Sequence, residues 1–162
     1  MITVGILTVS DSAFRRERED LSGAAIRTLV GQLPNTVVRT STIVPDEQAQ
    51  ITSTLCEWSD TQCLNLILTT GGTGLAPRDI TPEATRTVIE REAPGIAEAL
   101  RTISLRYTQM AMLSRGIAGV RGRTLIINLP GSPKAVKECL EYVLPVIPHA
   151  INLLTEGPNE HS

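Results

Sequence analysis

The chain has 162 residues, a net charge of −2, 41% hydrophobic and 20% charged residues. This composition excludes a disordered tail and a low-complexity fibre, and at this length folding buries about 68–70% of the unfolded surface. Aromatic residues amount to 2% (Phe14, Trp58, Tyr107 and Tyr142), too few for the stacking platforms of a single-stranded nucleic-acid binder. With no basic surplus, no nucleic-acid partner is expected. The core must then be Leu, Ile, Val and Ala, as in sheets covered by helices on both faces.

The three cysteines, Cys56, Cys63 and Cys139, lack metal-ligand spacing, and their odd number fits a reducing compartment. No basic n-region precedes an apolar stretch, and no apolar run nears the roughly 18 residues of a membrane span. A cytoplasmic protein without a membrane partner is expected.

Strand-like and helix-like segments alternate along the chain. Residues 4–9 (VGILTV) read as a strand ending at Ser10-Asp11-Ser12. Ser22 precedes an amphipathic stretch over 23–33, and 37–44 alternates like a strand before Pro45-Asp46. Ile51, Leu55 and Trp58 are spaced along one helix face, and 64–68 (LNLIL) reads as a buried strand stopping at Thr69-Thr70-Gly71-Gly72-Thr73-Gly74. Thr81-Pro82-Glu83 supplies an N-cap, a first-turn proline and an acidic first turn for a helix expected to end near Ala93, where Pro94-Gly95 interrupts.

A second helix is expected over 96–108, with Met110 and Met112 as core filling. Residues 114–122 hold three glycines and read as a loop or irregular strand, whereas 124–129 (TLIINL) is a strong strand. Ser132-Pro133 opens a helix through Val143, Pro145 and Pro148 kink or restart it, and the tail breaks at Gly157-Pro158. Helices between strands at these spacings imply βαβ units: one domain over 1–162, an α/β three-layer fold with a mostly parallel sheet and helices on both faces.

In such sheets ligands bind outside the carboxyl ends of the strands, and four strand ends carry the unusual residues. The glycine loop is neither a Walker A loop nor a dinucleotide fingerprint. It reads either as a tight turn needing positive φ or as a nest of backbone N–H groups around phosphate, with Thr69, Thr70 and Thr73 adding hydroxyls. Three glycines in four residues favour the nest. Pro130-Gly131-Ser132-Pro133 places amides and a hydroxyl at a helix start, which suits an anion and equally a plain cap.

Asp46 could cap the helix after Pro45, whereas Asp79 stands in the loop beside the glycines with the cap role taken by Thr81. Two carboxylates near a phosphate nest suit a Mg²⁺ ion shared with substrate phosphates. Asp11 reads equally as a ligand contact or a turn residue. Thirteen arginines against two lysines, with Arg78, Arg115, Arg121 and Arg123 outside the helices, point to a small anionic ligand. Ser12 has no triad partners, and neither His149 nor His161 sits in a metal-like or triad-like arrangement.

As a set, these motifs resemble the molybdopterin adenylyltransferase family. They are Thr8-Val9-Ser10-Asp11-Ser12, Val44-Pro45-Asp46-Glu47, the Thr69–Gly74 loop, Pro77-Arg78-Asp79-Ile80-Thr81-Pro82-Glu83, Glu90-Arg91-Glu92-Ala93-Pro94-Gly95, Leu113-Ser114-Arg115 and Ile127-Asn128-Leu129-Pro130-Gly131-Ser132. That family holds the bacterial Mog proteins and the G domains of gephyrin and cinnamon, and the likeness runs from about Val4 to Leu154.

The resemblance implies Mg²⁺-dependent adenylyl transfer from ATP to the terminal phosphate of molybdopterin, releasing pyrophosphate. Asp46 and Asp79 would be the catalytic, metal-holding carboxylates. Ser10, Asp11, Ser12, Thr70, Gly71, Gly72, Thr73, Gly74, Pro130 and Gly131 would line the substrate and nucleotide site, with Ser114 and Ser132 contacting the pterin or its phosphate. A homotrimer and hand-over to a molybdenum insertase are further implications. The alternative is a pterin-binding or trimeric scaffold domain of the same fold with little transferase activity. Leu75 departs from the family by standing where an aromatic is common, and the charged stretch Arg15–Asp20 carries no inference.

Overall fold

The computed structural model describes residues 1–156. In chain order the elements are β1 (Ile2–Val9), α1 (Asp11–Phe14), α2 (Leu21–Val30), β2 (Thr36–Val44), α3 (Gln48–Cys56), β3 (Leu66–Thr70), α4 (Thr81–Val88), β4 (Arg91–Glu92), α5 (Pro94–Leu105), β5 (Ala118–Arg121), β6 (Thr124–Leu129), α6 (Pro133–Val143) and α7 (Ile147–Glu156). A π-helical turn (Glu57–Thr61) prolongs α3, and 3₁₀ turns span Gln109–Leu113 and Leu144–Val146. Among the described residues no helix is long and apolar enough to cross a membrane.

The six strands form one sheet in the order β2-β1-β3-β6-β5-β4. The first four are mutually parallel, and β5 and β4 add an antiparallel edge. Strands β1, β3 and β6 are buried on both faces, which is why they read as continuous apolar runs. Alternate side chains sort to opposite faces. Ile6, Leu68 and Ile127 pack with Ile26 of α2, Leu100 of α5 and Val136 and Leu140 of α6. Leu7, Ile67 and Ile126 pack with Ile51 and Leu55 of α3, Trp58, and Ala84 and Val88 of α4. The three-layer α/β architecture is the expected one.

Several local expectations change. Helix α2 spans Leu21–Val30 and not 23–33, because Asp20 caps it: its carboxylate accepts from the Gly23 N–H at 2.8 Å. Thr81 does not cap α4. Its hydroxyl donates to the Gly71 carbonyl at 2.9 Å and its N–H to the Gly72 carbonyl at 3.1 Å, so it ties the helix start to the glycine loop.

Helix α4 ends at Val88, short of Ala93, because Ile89 turns extended and the chain pairs with β5 through the Glu90 and Ala93 N–H groups. Pro94 then opens α5 at its first turn instead of merely interrupting, and α5 ends at Leu105. Within residues 114–122, 118–121 are regular strand. Met110 and Met112 are each 67% exposed, so neither fills the core. The tail break at Gly157-Pro158 and His161 lie outside the described residues.

Candidate functional site

Parallel pairing aligns the carboxyl ends of β2, β1, β3 and β6: Val44 stands beside Val9, Thr70 beside Thr8, and Leu129 beside Thr70. The segments that follow therefore meet along one edge. Gly71 and Gly72 have φ of +94° and +69°, which few side chains tolerate. A Cβ on Gly71 would also strike the Val9 carbonyl, and one on Gly72 the Thr81 hydroxyl. The glycines are thus required both by backbone conformation and by close packing of the loop on β1 and α4.

The Pro130–Ser132 turn is fixed by hydroxyls from neighbouring elements. Thr70 Oγ1 donates to the Pro130 carbonyl at 2.6 Å and Ser22 Oγ to the Gly131 carbonyl at 2.5 Å. Ser132 Oγ accepts from the Ala135 N–H at 3.1 Å and caps α6, whose dipole aims its positive end at the edge.

Two cavities open on this edge. The larger, about 460 Å³, is walled mostly by apolar side chains such as Ala97, Leu100, Met110, Ala111 and Leu113, with Arg101, Glu138, Ser114 and Asn128 among its polar points. The other, about 400 Å³, is polar and presents Thr8, Ser10, Arg18, Asp20, Ser22, Asp46 and Thr70. Gly72, Asp79, Gly131 and Ser132 line both and form the ridge between them. Thr73, Gly74, Ser114 and Pro130 face only the apolar cavity; Ser10, Asp46, Thr70 and Gly71 face only the polar one.

Asp11 and Ser12 line neither. Asp11 is instead engaged by Arg78, whose Nε and Nη2 donate to its carboxylate at 2.6 and 3.0 Å, and this hydrogen-bonded guanidinium holds its carboxyl at about 2. Its second role is to lock Asp46: Asp46 N–H donates to Asp11 Oδ1 and Asp11 N–H donates to Asp46 Oδ2, each at 3.0 Å. Asp46 is therefore no helix cap, since the residue capping α3 is Glu47 and makes no side-chain cap bond.

Burial pushes the Asp46 carboxyl upward, and the charges of Asp11 and Asp79 push the same way. Asp79 Oδ2 accepts from the Ala76 N–H at 3.1 Å, and a Cβ on Gly74 would lie 2.9 Å from that oxygen. Among the described residues neither Asp46 nor Asp79 is ion-paired with a base. Here two hard carboxylates, Asp46 and Asp79, line one cavity, and no set of three or more His, Cys, Asp or Glu is arranged for a metal among the described residues. That donor set fits Mg²⁺, which keeps waters and takes one or two carboxylates plus substrate phosphates.

Some contributors had escaped sequence reasoning. Arg18, Glu19 and Asp20 come from the charged stretch that carried no inference, yet they wall the polar cavity. Asp20 Oδ2 also accepts from Thr8 Oγ1 at 2.6 Å. Asn128 is 2% exposed within β6 and donates to the Thr69 and Thr85 hydroxyls at 3.0 Å each while accepting from the Ile117 N–H. A lone Asn inside an apolar strand was the available signal. The anion reading of the loop arginines fails for three of the four: Arg78 holds Asp11, Arg121 pairs with Asp60, and Arg115 bonds carbonyls behind the ridge. The arginines facing the cavities are Arg18 and Arg101.

Residues 5–149 match the family model described as a probable molybdopterin binding domain. The chain is 49% identical over 154 residues to the molybdenum cofactor synthesis protein cinnamon of Drosophila melanogaster, covering 94% of this chain and 26% of that protein, so it spans about a quarter of cinnamon's length. It is 46% identical to a molybdopterin adenylyltransferase of Helicobacter pylori, covering 94% of this chain and 88% of the relative. The crystal structure of the molybdopterin biosynthesis enzyme MoaB of Thermus thermophilus superposes with a TM-score of 0.91 at 57% identity, covering 99% and 100% of the two chains. The chain thus belongs to the molybdopterin-binding family that also holds the bacterial molybdopterin adenylyltransferases.

Proposed function

We propose that the chain, as one domain over residues 1–162, transfers the adenylyl group of ATP to the terminal phosphate of molybdopterin in molybdenum cofactor biosynthesis. One observation carries the reading: two cavities of unlike chemistry meet at a ridge of glycines and Asp79, with Asp46 beside it and neither carboxylate ion-paired with a base among the described residues. A reaction joining two phosphate-bearing ring systems needs that plan. Each ring takes one cavity, and the phosphates meet between them.

In the proposed reaction an oxygen of the molybdopterin phosphate attacks the α-phosphorus of ATP, the bond from that phosphorus to the bridging oxygen of the β-phosphate breaks, and pyrophosphate leaves. The chain's contribution is positioning and charge stabilisation. Amides of the Gly71–Gly74 loop and the start of α6 face phosphate oxygens, with Ser10, Thr73 and Ser132 adding hydroxyls, Thr70 holding the Pro130 carbonyl of the neighbouring turn, and Ser114 meeting the ligand of the apolar cavity. Asp46 and Asp79 would hold Mg²⁺, which when bound supplies positive charge to the phosphate oxygens. Asp11 serves at one remove, keeping Asp46 in place while Arg78 satisfies its own charge. A homotrimer, a cytoplasmic location and delivery of the product to a molybdenum insertase belong to the same proposal.

The test is a single-turnover assay with molybdopterin, ATP and Mg²⁺, reading adenylylated product and pyrophosphate. Asp79→Asn and Asp46→Asn should each lower the rate by about 10²–10³-fold without loss of folding. A folded parent that binds molybdopterin and yields no product would leave a pterin-binding or scaffold domain in its place.

A further inference from the structure

Arg115 joins three segments that the chain order keeps apart. Its N–H donates to the Thr73 carbonyl at 2.8 Å, its Nε to the Gly74 carbonyl at 2.8 Å and its Nη2 to the Asp79 carbonyl at 2.7 Å, while Nη1 donates to the Glu83 carboxylate. Its side chain is one-third exposed and lines neither cavity. A planar fork with fixed donor directions sets the spacing of the groups it binds, which a flexible ammonium cannot do. Here the fork spans the end of the glycine loop, the backbone of Asp79 and the first turn of α4.

Arg115 is the brace that acts on the backbone of Asp79 itself. Within the turn, Ala76 N–H donates to Asp79 Oδ2 and Asp79 N–H to the Ala76 carbonyl at 2.9 Å, and the turn's own Arg78 reaches out to Asp11. The internal bonds fix the turn's shape; its orientation is set from outside, by a side chain (Arg78 on Asp11) at one end and, at the backbone of Asp79 itself, by Arg115. Gly74, the other group on the fork, is the residue against which the Asp79 carboxylate rests. One guanidinium thus fixes both the backbone of the carboxylate and the surface beneath it.

We propose that Arg115 is a positioning residue that holds the Asp79 carboxylate at the ridge. The proposal rests on the adenylyl-transfer reading for its catalytic consequence but not for its structural one. Arg115→Gln and Arg115→Lys are compared with the parent, each first shown folded by its thermal midpoint. Lys keeps the charge for Glu83 but cannot reach both carbonyls.

Hydrogen exchange of the Ala76 and Asp79 amides should accelerate about tenfold or more in both variants, while the β3 amides keep their protection. In the transfer assay the Mg²⁺ concentration giving half the maximal rate should rise about 10- to 100-fold, the range for losing a partner behind a metal-holding carboxylate. Unchanged loop exchange overturns the proposal. So does a loss of rate that only follows the folded fraction, with the Mg²⁺ requirement unmoved. A parent without transferase activity whose loop amides are nevertheless released by Arg115→Gln would sink the transfer reading and sustain the positioning role.

Discussion

The two cavities share a wall and little else. The apolar one is enclosed by side chains from α5 and the 3₁₀ turn Gln109–Leu113, elements that follow the glycine loop in sequence and carry Met110 and Leu113 out of the core. The polar one is enclosed by the ends of β1 and β2 and the start of α2, where Ser10, Asp20, Ser22 and Asp46 gather. One side offers mainly dispersion and area, with Arg101 and Glu138 at its wall, the other mainly hydrogen bonds and charge. The lesson is that the sheet edge provides a common ridge, while helices on opposite sides of it wall two cavities of unlike chemistry.

A charge in the apolar cavity is the sharpest way to break that contrast. Leu113→Asp should weaken whichever substrate fills this cavity by about 10- to 100-fold, since a carboxylate there loses apolar contact and gains a desolvation cost. Thermal stabilisation by the other substrate should survive. Equal weakening of ATP and molybdopterin would dissolve the two-cavity assignment.

Asn128 sharpens the comparison from beneath. Its amide serves the Thr69 and Thr85 hydroxyls and the Ile117 N–H behind the apolar cavity. Asn128→Ala should cost about 1–3 kcal/mol by orphaning buried partners, lowering the thermal midpoint by several degrees. A midpoint unchanged within error would show that water replaces the amide there.

The smallest effect belongs to Asp46. Its carboxyl is raised by burial and by the neighbouring charges of Asp11 and Asp79, so in the folded state the ionised form is disfavoured relative to the unfolded chain, where the ordinary value is 3.8. The folded state therefore binds the proton more tightly, and the parent loses stability as pH rises through the folded value. Asp46→Asn should raise the thermal midpoint slightly near neutral pH, with the advantage closing as pH falls below 3.8. An advantage equal at all pH values would assign it to packing instead of charge. On the proposed chemistry the same variant should lose transfer, so the carboxylate would cost stability where that chemistry uses it.

Legibility followed locality. Strands β1, β3 and β6 were plain in the sequence because burial on both faces leaves unbroken apolar runs. Ser132-Pro133 was correct as a helix start because the cap is a contact three residues long. Thr81 misled because its hydroxyl reaches Gly71, ten residues away, and nothing local announces a bond of that kind. The end of α4 misled for a related reason: pairing of Glu90 and Ala93 with β5 overrides the helical pattern.

At the site, Asp46, Asp79, the glycines and Ser132 were marked as candidates by residue type at strand ends. Asp20 looked like part of a charged run, and Arg115 like an anion ligand, because their partners lie on distant segments.

The sequence by itself determined the alternation of elements and hence the α/β class, since apolar periodicity and the residues that start and stop helices act over a few positions. It also determined which residue types stand at the carboxyl edge, because that edge follows from parallel crossovers. Tertiary structure alone decided that the edge holds two cavities, that among the described residues Asp11 is paired with Arg78 while Asp46 and Asp79 are paired with no base, and that Arg115 donates to the carbonyls of Gly74 and Asp79. Those outcomes depend on distances between segments tens of residues apart, which are set by packing of the helices on the sheet.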